Sequence, residues 1–270
     1  MIEVQVHGKP DDRPAVIVLH GGPAAPGSAA GLARGLDGSF RALEPWQRGS
    51  GGGPLSVARH VDDLHEVIAS YCPDERPVLV GHSWGAMLAL AYAAEHHGAA
   101  RAIALVGCGT FDVNSRARMK AIIDERMTPD LRRRMTETES IAEETDRLRA
   151  QLAVLDSIYD TDPLPEIVAA ERHTLHRFDR KAHEETWNDM LRCQREGQYP
   201  AALASIASPV LMLHGADDPH PGRMIMESLT PYIPQIEYRE FAHCGHRPWV
   251  ERWAREAFFE TLIGWLRGAT

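Results

Sequence analysis

Gly81-His82-Ser83-Trp84-Gly85 constrains this chain more than any other stretch. It follows the short apolar run Val78–Val80 and leads directly into the apolar stretch Ala86–Ala94. The run before the pentapeptide reads as a buried strand and the stretch after it as a helix, so the serine sits on a tight strand-to-helix turn. Such a turn strains the serine backbone and crowds its flanks, so side chains at positions 81 and 85 would collide. It also lifts the hydroxyl clear of the chain and sets it at a helix N-terminus. There, amide donors and the helix dipole favour developing negative charge. Ser83 is therefore the candidate nucleophile.

Comparable apolar runs recur at Ala15–Leu19, Ala102–Val106 and Val210–Leu213. Their lack of polar alternation is that of strands covered on both faces, as in a parallel sheet. Helical patterns lie between them, at Val57–Ser70 and Trp84–His97. Strand–helix alternation of this kind predicts an α/β fold. Ile236–Phe241 reads as a last strand and Val250–Leu266 as a last helix.

Residues 112–200 differ, being dense in Arg and Glu with no comparable strand run. Thr128-Pro129 has the form of an N-cap followed by proline at the first helical position. Helix formers run from Arg132 to Tyr159, Asp160–Pro165 breaks the pattern, and helices are expected again at Glu166–Phe178 and Ala182–Glu196. The predicted organisation is a core made of residues 1–111 and 201–270, with residues 112–200 inserted as a helical cap.

His20-Gly21-Gly22-Pro23 follows the strand Ala15–Leu19 directly. A serine that attacks a carbonyl needs two backbone N–H donors for the oxyanion. One comes from the residue after the nucleophile, Trp84, and the other from an early loop, here Gly22. Taken alone, Gly-Gly-Pro would also make a plain turn. The hydroxyl further needs a base, and the base an acid to orient it. The strand Val210–Leu213 is followed by His214-Gly215-Ala216-Asp217-Asp218-Pro219. A carboxylate at the C-terminal end of such a strand points into the crevice of the sheet. Asp218 is the expected acid, with Asp217 as the alternative. The base is expected after the last strand, in His243-Cys244-Gly245-His246-Arg247-Pro248. His246 is chosen over His243 because glycine precedes it and the final helix follows.

Composition narrows the partners. The net charge is −9 over 270 residues, and Lys and Arg are scattered. No basic block offers a footprint for nucleic acid. The four cysteines, Cys72, Cys108, Cys193 and Cys244, form no C-x-x-C pair. Neither a zinc site nor a disulfide framework is expected, and free thiols point to a reducing, cytoplasmic setting. Met1–Pro10 lacks the apolar core of a secretory signal, and no apolar run is long enough to cross a membrane. Acyl transfer through Ser83 needs no metal and no organic cofactor, so a small molecule or short peptide is the expected partner. Oligomeric state is not legible.

The motifs HGGP at His20–Pro23, QRGSG at Gln47–Gly51, GHSWG at Gly81–Gly85, GADD at Gly215–Asp218 and GHRP at Gly245–Pro248 give a resemblance. Together they resemble the α/β-hydrolase superfamily, and within it the proline iminopeptidase-type (S33) serine hydrolases. The resemblance implies an α/β-hydrolase fold, a mostly parallel central sheet flanked by helices, with a helical cap inserted after Ala102–Val106. It also implies a triad of Ser83, Asp218 and His246. Three positions depart from the family pattern. Ala24 follows HGGP where glycine is usual, Trp46 precedes QRG where aspartate is usual, and His82 precedes the serine where glycine is usual. No glutamate matches the cap carboxylates that hold a peptide's amine, and Glu137–Glu144 reads as a solvated helix face.

The expected activity is hydrolysis of a small ester or amide through an acyl-enzyme, with N-terminal peptidase action implied by the resemblance. The alternatives are an esterase or C–C bond hydrolase of a small metabolite, and a ligand receptor built on the same fold. Dehalogenase and epoxide-hydrolase chemistry needs a carboxylate where Ser83 stands. Gln47-Arg48-Gly49 is read as placing a structural arginine that ties its loop to the sheet, the Trp84 ring as packing, and Cys244 as a buried filler. Trp187 and Tyr159 either line a substrate pocket or pack the cap onto the core.

Overall fold

The structure is a computed structural model that describes residues 2–8, 13–174 and 178–269. The end of the helix expected over Glu166–Phe178 and part of the Met1–Pro10 segment fall outside these residues.

Seven strands form one sheet: β1 (Val4–His7), β2 (Ala15–Leu19), β3 (Arg41–Pro45), β4 (Val78–His82), β5 (Ile103–Val106), β6 (Val210–Gly215) and β7 (Ile236–Phe241). Their order is β1-β3-β2-β4-β5-β6-β7, with β1 antiparallel to β3 and every other pairing parallel. The fold is thus the α/β-hydrolase fold. Within the core strands, alternate residues serve opposite faces. Ile17, Leu19, Leu79, Ile103, Leu105 and Met212 pack on one side, and Val16, Val18, Val80, Ala104, Leu211 and Leu213 on the other. Both faces are apolar because helices cover both.

The first face carries α2 (Val57–Tyr71), α3 (Trp84–Glu95) and α9 (Gly222–Leu229), and the second carries α1 (Ala30–Leu36) and α10 (Arg255–Ala269). α3 is buried on every side from Trp84 to Ala93. The absence of a polar stripe in its sequence reflects that position.

Between β5 and β6 the chain forms α4 (Val113–Arg126), α5 (Pro129–Thr138), α6 (Glu144–Tyr159), α7 (Pro165–Thr174) and α8 (Arg180–Arg195). Thr128 caps α5 by accepting from the Leu131 amide, with Pro129 at the first position, as the sequence predicts.

The last helix begins later than expected. Residues 249–254 turn instead, because the Val250 carbonyl accepts from the Leu164 amide and Glu251 bridges to Pro163. The backbone there is engaged with Pro163 and Leu164 and is unavailable to a helix.

Candidate active site

Ser83 joins β4 to α3 with φ 54° and ψ −116°. Such a conformation is costly for any residue but glycine, and it persists only where the surroundings impose it. A side chain on Gly81 would strike the backbone of Gly85 and Ala86, and one on Gly85 would strike the carbonyls of Leu19 and His20. Both glycines are demanded by close backbone approach, which is the condition the sequence reading placed on them.

The HGGP loop lies against this turn. A side chain on Gly21 would come within 3.1 Å of Ser83 Cβ. Gly22 has φ 37°, in the left-handed region. The loop is held by a network that the sequence did not disclose. The Gln47 backbone N–H donates to His20 Nε2 at 3.0 Å, so that nitrogen is the acceptor and Nδ1 carries the proton. His20 Nδ1 then donates to the Gly21 carbonyl at 3.1 Å. Burial lowers the His20 pKa and keeps the ring neutral, consistent with this tautomer. In a trans peptide the carbonyl and the next N–H point opposite ways. Fixing the Gly21 carbonyl therefore fixes the Gly22 N–H, aimed away from His20. Gln47 also donates from Nε2 to the His20 carbonyl at 2.9 Å and accepts the Trp84 indole N–H at 2.8 Å. One glutamine thus ties the early loop to the residue after Ser83.

Arg48 anchors its loop as expected, although onto α2 and not onto the sheet. It makes a two-pronged pair with buried Asp63, at 2.8 and 2.6 Å.

Asp218, just past β6, and His246, after β7, are both buried, and His246 Nδ1 donates to Asp218 Oδ2 at 2.7 Å. Asp218, not Asp217, meets His246. The Asp217 amide is bonded to the Cys244 carbonyl, and His243 is exposed. Burial opposes ionisation of Asp218, but the imidazoles of His246, His214 and His220 gathered around it and the His214 hydrogen bond outweigh it and hold the carboxyl well below the usual range. Among the described residues, no hydrogen bond joins Ser83 Oγ to His246. The two elements meet through His82, whose Nε2 donates to the His246 carbonyl at 3.2 Å and whose ring lies 4.7 Å from that of His246. Burial pushes the His82 pKa well down, so that ring is neutral.

The loop bearing His246 is fastened to the end of α6. The His246 amide donates to the Tyr159 carbonyl at 2.8 Å. Arg247, next in the chain, is paired with Asp160 and with Asp156 at 2.7 Å. Glu251 is fully buried and accepts the amides of Thr161, Asp162 and Gly245 at 2.8, 2.7 and 2.8 Å. The Tyr159 ring lies 5.4 Å from the His246 ring, whereas Trp187 packs against the core. Cys244 is buried, and burial raises its thiol pKa, as suits a filler.

On the other flank, α8 holds the loop after Gln47. Asp179 accepts from the Ser50 amide and hydroxyl, Glu185 from the Leu55 amide, and Asp189 from the Val57 amide, at 2.7 to 3.0 Å. A cavity of about 420 Å³ lies here, bordered by Ala24, Gln47, Ser50, Glu144, Phe178 and Arg180 among others.

Asp218, His220 and His246 bring possible metal-ligating atoms within 4.8 Å of one another. The two rings are stacked 4.4 Å apart at 14°, so their in-plane lone pairs run side by side and do not converge on a common point. Both Nδ1 atoms are moreover spent on Asp218. This is not the arrangement of a tetrahedral metal centre.

A family model described as the alpha/beta hydrolase family matches residues 16–258. Among curated proteins, none matches this sequence. Solved structures share the fold. A carboxylesterase from Nitrososphaera gargenis superposes with a TM-score of 0.70 at 17% identity, covering 99% of this chain and 94% of that one. An esterase from Thermogutta terrifontis gives 0.67 at 18% identity, covering 99% and 93%. A 2-hydroxy-6-oxo-6-phenylhexa-2,4-dienoate hydrolase from a Rhodococcus species gives 0.68 at 23% identity, covering 98% and 94%.

Proposed function

The chain belongs to the alpha/beta hydrolase family, and from that footing we propose that it is a serine hydrolase of small esters or amides acting through an acyl-enzyme. The observation that carries this reading is the buried 2.7 Å bond from His246 Nδ1 to Asp218 Oδ2, taken together with a serine at φ 54°. A hydrogen bond at Nδ1 leaves Nε2 of the base for the substrate side.

His246 takes the proton of Ser83 Oγ as the oxygen attacks the carbonyl carbon. Asp218 holds the imidazole in the required tautomer and stabilises the imidazolium. The backbone N–H groups of Gly22 and Trp84 receive the oxyanion. The imidazolium then protonates the leaving group, and water, deprotonated by His246, releases the acid. Helices α4 to α8 act as a cap. The cap borders the cavity beside Gln47 and excludes water during the reaction.

Labelling by a fluorophosphonate tests the reading. Wild type reacts at Ser83 and Ser83→Ala does not. Label retained in Ser83→Ala removes Ser83 from the reaction. A panel of short acyl esters and a proline arylamide then separates esterase from peptidase action. The peptidase branch fails if the arylamide is inert while esters turn over.

A further inference from the structure

Asp218 serves three imidazoles, with His214 Nε2 lying 3.0 Å from the same Oδ2 that His246 reaches. His246 Nδ1 reaches Oδ2 at 2.7 Å, while the His220 backbone N–H and Nδ1 reach Oδ1 at 2.8 and 3.1 Å. The His220 ring lies face to face with the His246 ring, 4.4 Å away at 14°. His220 stands between Pro219 and Pro221, whose rings restrict the backbone on both sides. Its carbonyl accepts from His214 Nε2 at 3.0 Å. The backbone and Nδ1 of this residue are therefore held, and the ring is packed where it touches both Asp218 and His246.

A carboxylate accepts only at its oxygens, so Nδ1 of His220 is the donor and the ring is the Nδ1–H tautomer. Burial lowers the His220 pKa, which keeps the ring neutral next to the imidazolium that His246 becomes. We propose that His220 is a positioning residue for the base: its Nδ1–H pins the second oxygen of Asp218 so that Oδ2 stays aimed at His246. The proposal rests on the reading of His246 as the base. Without the His220 ring, Oδ1 keeps a single backbone donor in a buried pocket, and the carboxylate turns to seek another.

Three variants separate the two contacts of His220. His220→Ala removes both, His220→Phe restores a ring against His246, and His220→Asn restores a side-chain N–H donor for Oδ1. Two measurements are made on each. One is the low-field proton resonance of His246 Nδ1–H in the unliganded protein. The other is kcat and KM on p-nitrophenyl acetate.

In His220→Ala and His220→Phe the resonance moves upfield or broadens away, and kcat falls about tenfold with KM within about twofold. In His220→Asn both stay near wild type. A His220→Phe protein that matches wild type overturns the proposal, as does a His220→Asn protein impaired as much as His220→Ala. Should His220→Phe not fold, the His220→Ala and His220→Asn pair decides alone. The resonance needs no substrate. If fluorophosphonate fails to label Ser83 while the resonance follows this pattern, the acyl-enzyme reading fails and the positioning role stands.

Discussion

The side-chain carbonyl of Gln47 accepts the Trp84 indole N–H at 2.8 Å, and the same side chain donates to the His20 carbonyl. The two loops that supply the proposed oxyanion donors are thereby held by one amide group, 37 residues before Trp84 in the chain. Replacing it loosens the loop. Gln47→Ala is expected to lower kcat about tenfold or more on a short acyl ester while KM changes little. Steady-state kinetics check this, and an unchanged kcat would detach Gln47 from the site.

Glu251 offers a test of the link between the proposed cap and the proposed base. Its carboxylate is the acceptor for three backbone N–H groups from two segments. Glu251→Ala removes the acceptor from all three and leaves the Gly245 amide buried without a partner, at a cost of about 2 kcal/mol or more. Urea unfolding measures that loss. Because Gly245 is one of the three, activity should fall by more than the loss of folded protein explains.

The turn at Ser83 tolerates no added atom. Gly85→Ala places a methyl carbon against the Leu19 and His20 carbonyls and is expected to cost about 3 kcal/mol or to prevent folding. Thermal melting of purified protein decides, and a melting point equal to wild type would contradict the packing described.

Acid should weaken the fold at a named place. His60 is buried, and burial lowers its pKa to about 4 from an ordinary 6.5. Below pH 6.5 the unfolded chain binds a proton there that the folded chain refuses. Stability is therefore full above 6.5 and is lost as the pH falls toward 4, by up to about 3 kcal/mol from this group. His60→Gln removes the term, so the difference in urea stability between pH 7 and pH 5 should shrink. An equal pH dependence in both proteins would count against it.

How far the sequence led depends on how local each cause was. β2, β4, β5 and β6 were legible because helices cover both their faces, leaving unbroken apolar runs. β1 and β3 were not read as strands. Arg41–Pro45 carries Arg41 and Glu44, and Val4–His7 sits at the edge, so neither shows the pattern of a doubly covered strand. The preference for Asp218 over Asp217 followed from spacing after a strand end, and the geometry places Asp218 on His246. Gln47, His20 and His220 escaped because their roles arise from contacts that exist only after the sheet has formed. The Pro-His-Pro stretch at 219–221 was the one signal that a histidine there is held rigid.

The bend at Gly51–Gly53 is fastened at Ser50 by Asp179 and at Leu55 by Glu185, and all three of its glycines are exposed with no heavy atom within 4 Å of a side chain built on them. Its ends are fixed and the side-chain positions of its middle face open space. Lengthening a bend of this kind costs only the slowly growing entropy of a longer loop. It is the natural port for an added epitope or fluorophore beside the cavity, carried by the protein without disturbing the machinery beneath.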